Sequence, residues 1–297
     1  MKRYWVWALH TDLLVVGGTG LLGREIVRIA QPSFTYFHTE VHNENAHPLD
    51  VRDAQKCTEL LETLKPESII FCSALTDVDA CETNPELAYA INTHALQPFI
   101  EYCSQNHAFL VFVSTDYVFD GKSGNYRETD EKNPVNVYGK SKSLAENLIF
   151  ASGINYAIVR ASVIFGATEA SGKKNFVLWV YENLRNGKAV NALVDNVVSP
   201  TYNVYLAHAI LEIVERRLCG VWHVASAAGI SRYEMACRVK EAFGLPGEVV
   251  PARMEQMKWR ARRPGNSSLD VSKAGNCLKN KPKRFEEWLE EMRWEHA

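Results

Sequence analysis

The stretch VVGGTGLLGREIV, residues 15–27, decides the fold. An apolar run, DLLVVG (12–17), ends in glycines and passes into LLGREIVRIA (21–30), where apolar residues recur at helical spacing. The join fits two overlapping patterns, Gly17-x-x-Gly20-x-x-Gly23 and Gly18-x-Gly20-x-x-Gly23. Missing Cβ atoms permit a tight turn and the close approach of a pyrophosphate, and the helix beyond offers free N–H groups to it. Glycines alone fit a structural turn equally well; the strand–loop–helix order points to a dinucleotide site. No G-x-x-x-x-G-K-[ST] occurs, which disfavours a P-loop ATPase.

Working outward, β-like and α-like segments alternate. SFTYFHT (33–39), SIIFCSA (68–74), AFLVFVS (108–114) and NYAIVRAS (155–162) read as strands. DAQKCTELLETL (53–64), PELAYAINTHALQPFIEYCSQ (85–105, bent near Pro98) and VYGKSKSLAENLIFAS (137–152) read as helices. Continuous apolar strands alternating with helices imply a parallel sheet covered on both faces. The expected fold is α/β: a Rossmann-type doubly wound parallel sheet with a smaller mixed α/β C-terminal lobe. Residues 1–162 form the dinucleotide-binding domain, and 163–297 form mainly the second lobe, with return segments near 196–226. There, FVLWVYENLRNG (176–187) and TYNVYLAHAILEIVERR (201–217) read as helices, and GVWHVAS (220–226) as a returning strand. SRYEMACRVKEAFG (231–244) carries a capping-box pattern in Ser231 and Glu234. FEEWLEEMRW (285–294) reads as an amphipathic helix.

The 297 residues carry a net charge of −2, which gives no electrostatic case for nucleic acid or an acidic membrane surface. No apolar window approaches a membrane span, and MKRYWVWALHTD (1–12) is too short in its apolar block for a signal peptide. It reads as an extra packed or frayed segment. Seven cysteines without a C-x-x-C pair read as reduced thiols in a cytoplasmic protein. His38, His42 and His47 are spaced too loosely to assign a metal.

Two further motifs carry chemistry. STDYVFDG (114–121) follows an apolar strand and delivers hydroxyls to its end. Tyr138-Gly-Lys-Ser-Lys142 places a phenol and an ammonium one helical turn apart. A neighbouring cation stabilises phenolate, so Lys142 is expected to lower the Tyr138 pKa and fit it for acid–base work on a carbonyl. No G-x-S-x-G elbow supports a serine nucleophile. An acidic group is expected after the second strand to bind ribose hydroxyls. Glu40 is near that place, His38 and Thr39 compete for it, and Arg24 could instead neutralise a 2′-phosphate.

With these pieces in order, the chain resembles an extended short-chain dehydrogenase/reductase, and more narrowly the dTDP-4-dehydrorhamnose reductase family. The resemblance runs nearly end to end through GGTGLLG (17–23), LDVRD (49–53), ALTDVDACETNPELAYAIN (74–92), STDYVFDG, YRETDEKNPVNVYGKSK (126–142), VRASVIFG (159–166), ISRYEMA (230–236) and RRPGNSSLDVSK (262–273). It implies NADP or NAD as cofactor, NADPH being favoured, a nucleotide-sugar substrate and a homodimer. It implies that Gly17, Gly20, Leu21, Leu22 and Gly23 face the pyrophosphate and that Asp50 and Val51 flank the adenine. Ser73, Ala74 and Leu75 would line the ribose and phosphate side, with Asn92 behind them and Ser114 ending the strand near the cofactor. Thr115, Tyr138 and Lys142 would be the catalytic hydroxyl, acid and cation. Asp77, Val78, Tyr117, Val118, Thr201 and Arg263 would belong to the substrate cleft. Val163 stands where some members of the family carry tryptophan. A dehydratase is disfavoured, because Tyr117 stands where its glutamate would be. The regulatory β subunit of methionine adenosyltransferase shares much of this motif set, so a non-catalytic NADP-binding subunit is the alternative, along with a nucleotide-sugar epimerase.

Overall fold

The computed structural model describes residues 12–38, 41–170 and 172–292. The N-terminal segment before Asp12, and with it Thr39 and Glu40, lies outside the described residues.

Residues 13–165 run β1 (Leu13–Val16), α1 (Gly23–Ala30), β2 (Ser33–Tyr36), β3 (Ala46–Pro48), α2 (Ala54–Leu64), β4 (Ser68–Phe71), α3 (Val78–Thr83), α4 (Pro85–Asn92), α5 (Gln97–Asn106), β5 (Phe109–Thr115), α6 (Val137–Ser152) and β6 (Tyr156–Phe165). The stretch expected as one bent helix over 85–105 is two helices, α4 and α5, joined by a 3₁₀ turn at His94–Leu96. Pro98 sits in the first turn of α5, where its missing N–H leaves no helical bond unmade.

Residues 166–292 contain α7 (Phe176–Arg185), β7 (Val190–Leu193), β8 (Val197–Val198), β9 (Pro200–Tyr202), α8 (Asn203–Glu215), β10 (Gly220–His223), β11 (Ile230–Ser231), α9 (Arg232–Phe243), β12 (Val249–Ala252), α10 (Ser272–Cys277) and α11 (Phe285–Glu291). The capping box of α9 forms as the sequence suggests, Ser231 and Glu234 satisfying each other's backbone amides. Thr201 and Tyr202, read from sequence as helix, are instead strand β9.

One parallel sheet organises the molecule, in the order β10-β6-β5-β4-β1-β2-β3. The order reverses between β1 and β4, and ligands of doubly wound sheets bind outside the carboxyl ends of strands at such a reversal. Two cores flank the sheet. Phe109 and Val111 of β5 pack with Ile26 of α1 and Ile210 of α8. Leu110 and Phe112 face the other way, onto Leu61 of α2 and Phe99 of α5. This alternation fixes which β5 residues look toward which helices.

β9 and β10 come from the later half of the chain yet pair with β6, so that half returns to the sheet. The ladder shifts between Ser162 and Ile164, where Val163 holds φ at +41°. That conformation is strained for a β-branched residue, and the bulge re-aims the strand end beside the candidate site. Among the described residues, no helix is long and apolar enough to cross a membrane.

Candidate active site

The glycine loop separates fold-imposed glycines from one that the fold leaves free. Gly17 has φ +87°, and a Cβ there would lie 3.0 Å from Ser73 N. A Cβ on Gly23 would lie 2.2 Å from Gly17 O. Gly20 is different: its nearest neighbour would be Gly17 O at 3.5 Å, an ordinary contact. The protein itself would tolerate a side chain at Gly20, so close approach of a ligand is the remaining reason for glycine. Among the described residues, no hydrogen bond engages the amides of Leu21, Leu22 or Gly23. Three open amides at the start of α1 suit the oxygens of a pyrophosphate. Leu21 is half-buried, whereas the Leu22 side chain is 5% exposed and packs in the core, leaving its backbone to the loop.

The β4 end adds the second wall. Ser73, Ala74 and Leu75 are half-buried there. Asn92 grips this segment from α4: its Oδ1 accepts from Leu75 N at 2.8 Å, and its Nδ2 donates to Leu75 O at 3.1 Å. Nδ2 also donates to Ser141 Oγ at 3.0 Å, which ties the β4 loop to α6. Asn92 therefore acts from behind the site, fully buried. Asp50 is held by Arg52, whose guanidinium lies 5.8 Å from the exposed Phe37 ring. Val51 is packed in the core. His38 is exposed beside Phe37. The guanidinium of Arg24 is tied to Thr168 Oγ1 and Glu169 O in the second lobe.

Gly139 brings the catalytic candidates together. A Cβ there would lie 2.1 Å from Tyr117 O, so only glycine lets α6 ride this close to the turn after β5. Asn136 caps the helix through Gly139 N and reaches Arg262 O with its amide. The Tyr138 phenol then comes to lie by the Thr115 hydroxyl and edge-on to the Tyr117 ring. Burial pushes the Tyr138 phenol well above its ordinary pKa, and the neighbouring Thr115 hydroxyl opposes without prevailing. This reverses the sequence expectation of a depressed tyrosine. The Lys142 ammonium donates to Val113 O at 2.7 Å and lies 3.8 Å from the Phe112 ring centroid. Burial lowers its pKa to about 7, against the pull of Glu146.

Thr115 is 6% exposed. Its Oγ1 accepts from Tyr117 N at 3.2 Å and shares a 3.1 Å hydrogen bond with Asp116 Oδ1. The Ser114 hydroxyl donates to Glu146 at 2.6 Å, inside the protein, so only the Ser114 backbone is left for a cofactor.

Two residues expected in the substrate cleft are buried instead. Val118 has no exposed surface and packs with Phe119, Tyr126 and Leu269, because the 3₁₀ turn after Thr115 rolls it inward. The hydroxyl of Thr201, fully buried, donates to Ser162 O and pins β9 to β6. Asp77 is exposed and caps α3 through Ala80 N, with Val78 as the first residue of that helix. Tyr117 does reach the candidate site, meeting the Tyr138 ring edge-on at 5.9 Å. Arg263 pairs with Asp79 at 3.2 Å and lies 5.0 Å from the Trp259 ring, which makes it a partnered cation rather than a free surface one.

Sequence reasoning missed Arg232. It heads α9, donates to Asn196 Oδ1 at 3.1 Å, lies 4.7 Å from the Phe176 ring and acts electrostatically on Tyr117 and Asp116. A signal existed: a cation in the first turn of a helix opposes the helix dipole and asks for another reason to be there.

Comparison with known proteins bears on this geometry. Over 87% of its length the chain is 32% identical to the "Probable low-salt glycan biosynthesis reductase Agl14" of Haloferax volcanii, covering 89% of that protein. It is 30% identical to methionine adenosyltransferase 2 subunit beta of Xenopus tropicalis, with 91% of this chain and 85% of the relative covered. Among solved structures, a hypothetical dTDP-4-dehydrorhamnose reductase from Sulfolobus tokodaii superposes with TM-score 0.85 at 37% identity, covering 95% of this chain and 99% of that one. The Bacillus anthracis dTDP-4-dehydrorhamnose reductase in complex with NADP gives 0.82 at 26% identity, covering 94% and 97%. Residues 11–297 match the family described as RmlD substrate binding domain, and the chain belongs to that family.

Proposed function

We propose that the protein uses NADPH or NADH to reduce the C4 keto group of a nucleotide-linked 4-keto-6-deoxy sugar, as a dTDP-4-dehydrorhamnose reductase does. The observation that carries this reading is the docking of α6 on the turn after β5, where Gly139 seats against Tyr117 O and the Tyr138 ring meets Tyr117 at 5.9 Å beside Thr115, with Lys142 one turn along α6. The open amides after Gly20 and the Asn92-clamped β4 loop fit a dinucleotide beside them. A nicotinamide bound there supplies hydride to the substrate carbonyl carbon.

The chain's own residues then handle the oxygen. Tyr138, kept protonated by burial, gives its proton to the oxygen as negative charge develops. Thr115 donates a hydrogen bond to the same oxygen and fixes its position. Lys142, one turn along α6 with its ammonium on Val113 O, is assigned the role of supplying positive charge once Tyr138 has given up its proton. The buried Asn92–Ser141 bond keeps α6 in register with the cofactor wall. Tyr138→Phe should bind NADPH normally and lose turnover by about 10²–10⁴-fold. Near-normal turnover in that variant would sink the assignment.

The 30% identity to a methionine adenosyltransferase β subunit favours a second reading, a non-catalytic NADP-binding subunit. Stoichiometric co-purification with a methionine adenosyltransferase, together with no turnover of any 4-keto nucleotide sugar, would select it.

A further inference from the structure

The Lys142 side chain lies inside the protein, at 2% exposure. Among the described residues no carboxylate comes within ion-pair distance of its ammonium; Glu146, one turn further along α6, is met by Arg160 and Lys132 instead. A buried charge that has lost its water and has no anion in contact is costly, so other groups must stand in. Two do, and they are neighbours in β5. Val113 O accepts from Nζ at 2.7 Å, and Nζ stands 3.8 Å from the centroid of the Phe112 ring.

Packing fixes this geometry from both sides. Phe112 has no exposed surface and shares a core with Ala145 and Ile149, one and two turns beyond Lys142 on α6. Its ring is backed by that of Phe71, 6.3 Å away. The seating of α6 on this core therefore sets where the Lys142 ammonium comes to rest over the ring. An aromatic face carries partial negative charge and attracts a cation, most strongly where water is excluded. It does so without an opposite net charge. A carboxylate at the same place would hold the ammonium and also cancel it.

The titratable groups facing the ammonium are Glu146 on its own helix and Cys72 just past the end of β4. Glu146 is turned to its own cations, and burial pushes the Cys72 thiol up to about 12, so it brings no negative charge at neutral pH. Tyr138 lies one turn back on α6.

We propose that Phe112 is a positioning residue: its ring face, with Val113 O, holds the Lys142 ammonium in place of a counter-ion, so that the positive charge stays available beside Tyr138. The inference rests on the reductase reading for its catalytic consequence, and not for the cradle itself.

The test replaces Phe112 with phenylalanines bearing one, two and three ring fluorines. These keep the shape of the ring and weaken its negative face step by step. The titration of Lys142 is followed in the unliganded protein by NMR of side-chain-labelled lysine, the resonance being assigned by its loss in Lys142→Arg. The Lys142 pKa should fall with each fluorine. Phe112→Leu, apolar but without a π face, should give the largest fall, about 0.5–1.5 pH units. The charged lysine is then lost at lower pH, so the alkaline limb of kcat should move toward acid by the same amount. A purely structural role would lower stability and leave the titration where it was. A Lys142 titration that does not move across the fluorinated series overturns the proposal, and so does a shift that fails to follow the number of fluorines. If Phe112→Leu folds poorly, the fluorinated series decides alone. If the wild type turns over no 4-keto sugar nucleotide, the reductase reading fails, while the NMR titration still decides the cradle.

Discussion

Two buried carboxyl groups sit next to each other in the sequence logic of β5 and opposite each other in chemistry. Glu146 lies under Ser114, and Asp116 lies beside Thr115; both are almost wholly removed from solvent, at 2% and 1% exposure. Glu146 meets two guanidinium nitrogens of Arg160 at 3.0 and 2.8 Å and Lys132 at 3.1 Å. Burial pushes the Glu146 carboxyl up, but Arg160, Lys132 and the Ser114 hydroxyl outweigh it and hold it below the ordinary range. Asp116 meets only hydroxyls at contact distance, and burial wins. Equal burial thus goes with opposite shifts from the ordinary carboxyl range, decided by whether a cation is in contact. The strand alternation does the sorting, sending Ser114 to the ionic cluster and Thr115 to the candidate site.

The comparison breaks most clearly under neutral substitution. Glu146→Gln leaves Arg160 buried without its anion and should cost about 3–5 kcal/mol of stability in urea denaturation. Asp116→Asn removes no ion pair and should cost less than about 1.5 kcal/mol. Equal losses would put the two carboxyls in one class. Removing one hydroxyl from each should give a smaller contrast of the same sign. Ser114→Ala deletes a bond to an acceptor held in an ion pair, about 1.5–3 kcal/mol; Ser267→Ala deletes a bond to a carboxyl with no cation in contact, for which about 0.5–1.5 kcal/mol is expected.

The smallest effect is one of slope. Glu146 has a folded pKa below its unfolded value of about 4.3, so its contribution is present above that pH and lost as pH falls through the folded value. Asp116 has a folded pKa above its unfolded value of about 3.9, so its contribution is present below that pH and lost as pH rises through the folded value. The stability difference between wild type and Glu146→Gln should therefore shrink toward acid. That between wild type and Asp116→Asn should fall as pH rises from about 4. Parallel slopes would contradict the opposite shifts of the two carboxyls.

The sequence made the scaffold readable because its signals are local. Glycines at 17, 20 and 23 between an apolar run and a helical period announce β1 and α1, and Val137 to Ser152 is helix from end to end. The four-residue spacing of Tyr138 and Lys142 needs nothing beyond helix geometry. What the sequence could not show depends on contacts between distant segments. Asp116 is defined by Ser162 and Ser267, 46 and 151 residues away. The raised Tyr138 pKa comes from packing, which a motif does not encode. Val118 and Thr201 looked like cleft residues by position along motifs, and only the turn after β5 and the pairing of β9 with β6 send them inward.

The account rests on hydride reaching a sugar carbonyl held by Thr115 and Tyr138. The most direct measurement incubates the wild-type protein with a nucleotide-linked 4-keto-6-deoxy sugar and NADPH deuterated at the nicotinamide C4, then locates deuterium in the product by NMR. The account predicts one deuterium at sugar C4 and loss of the label in the Tyr138→Phe reaction. Bound cofactor with no deuterium in any sugar product would contradict it.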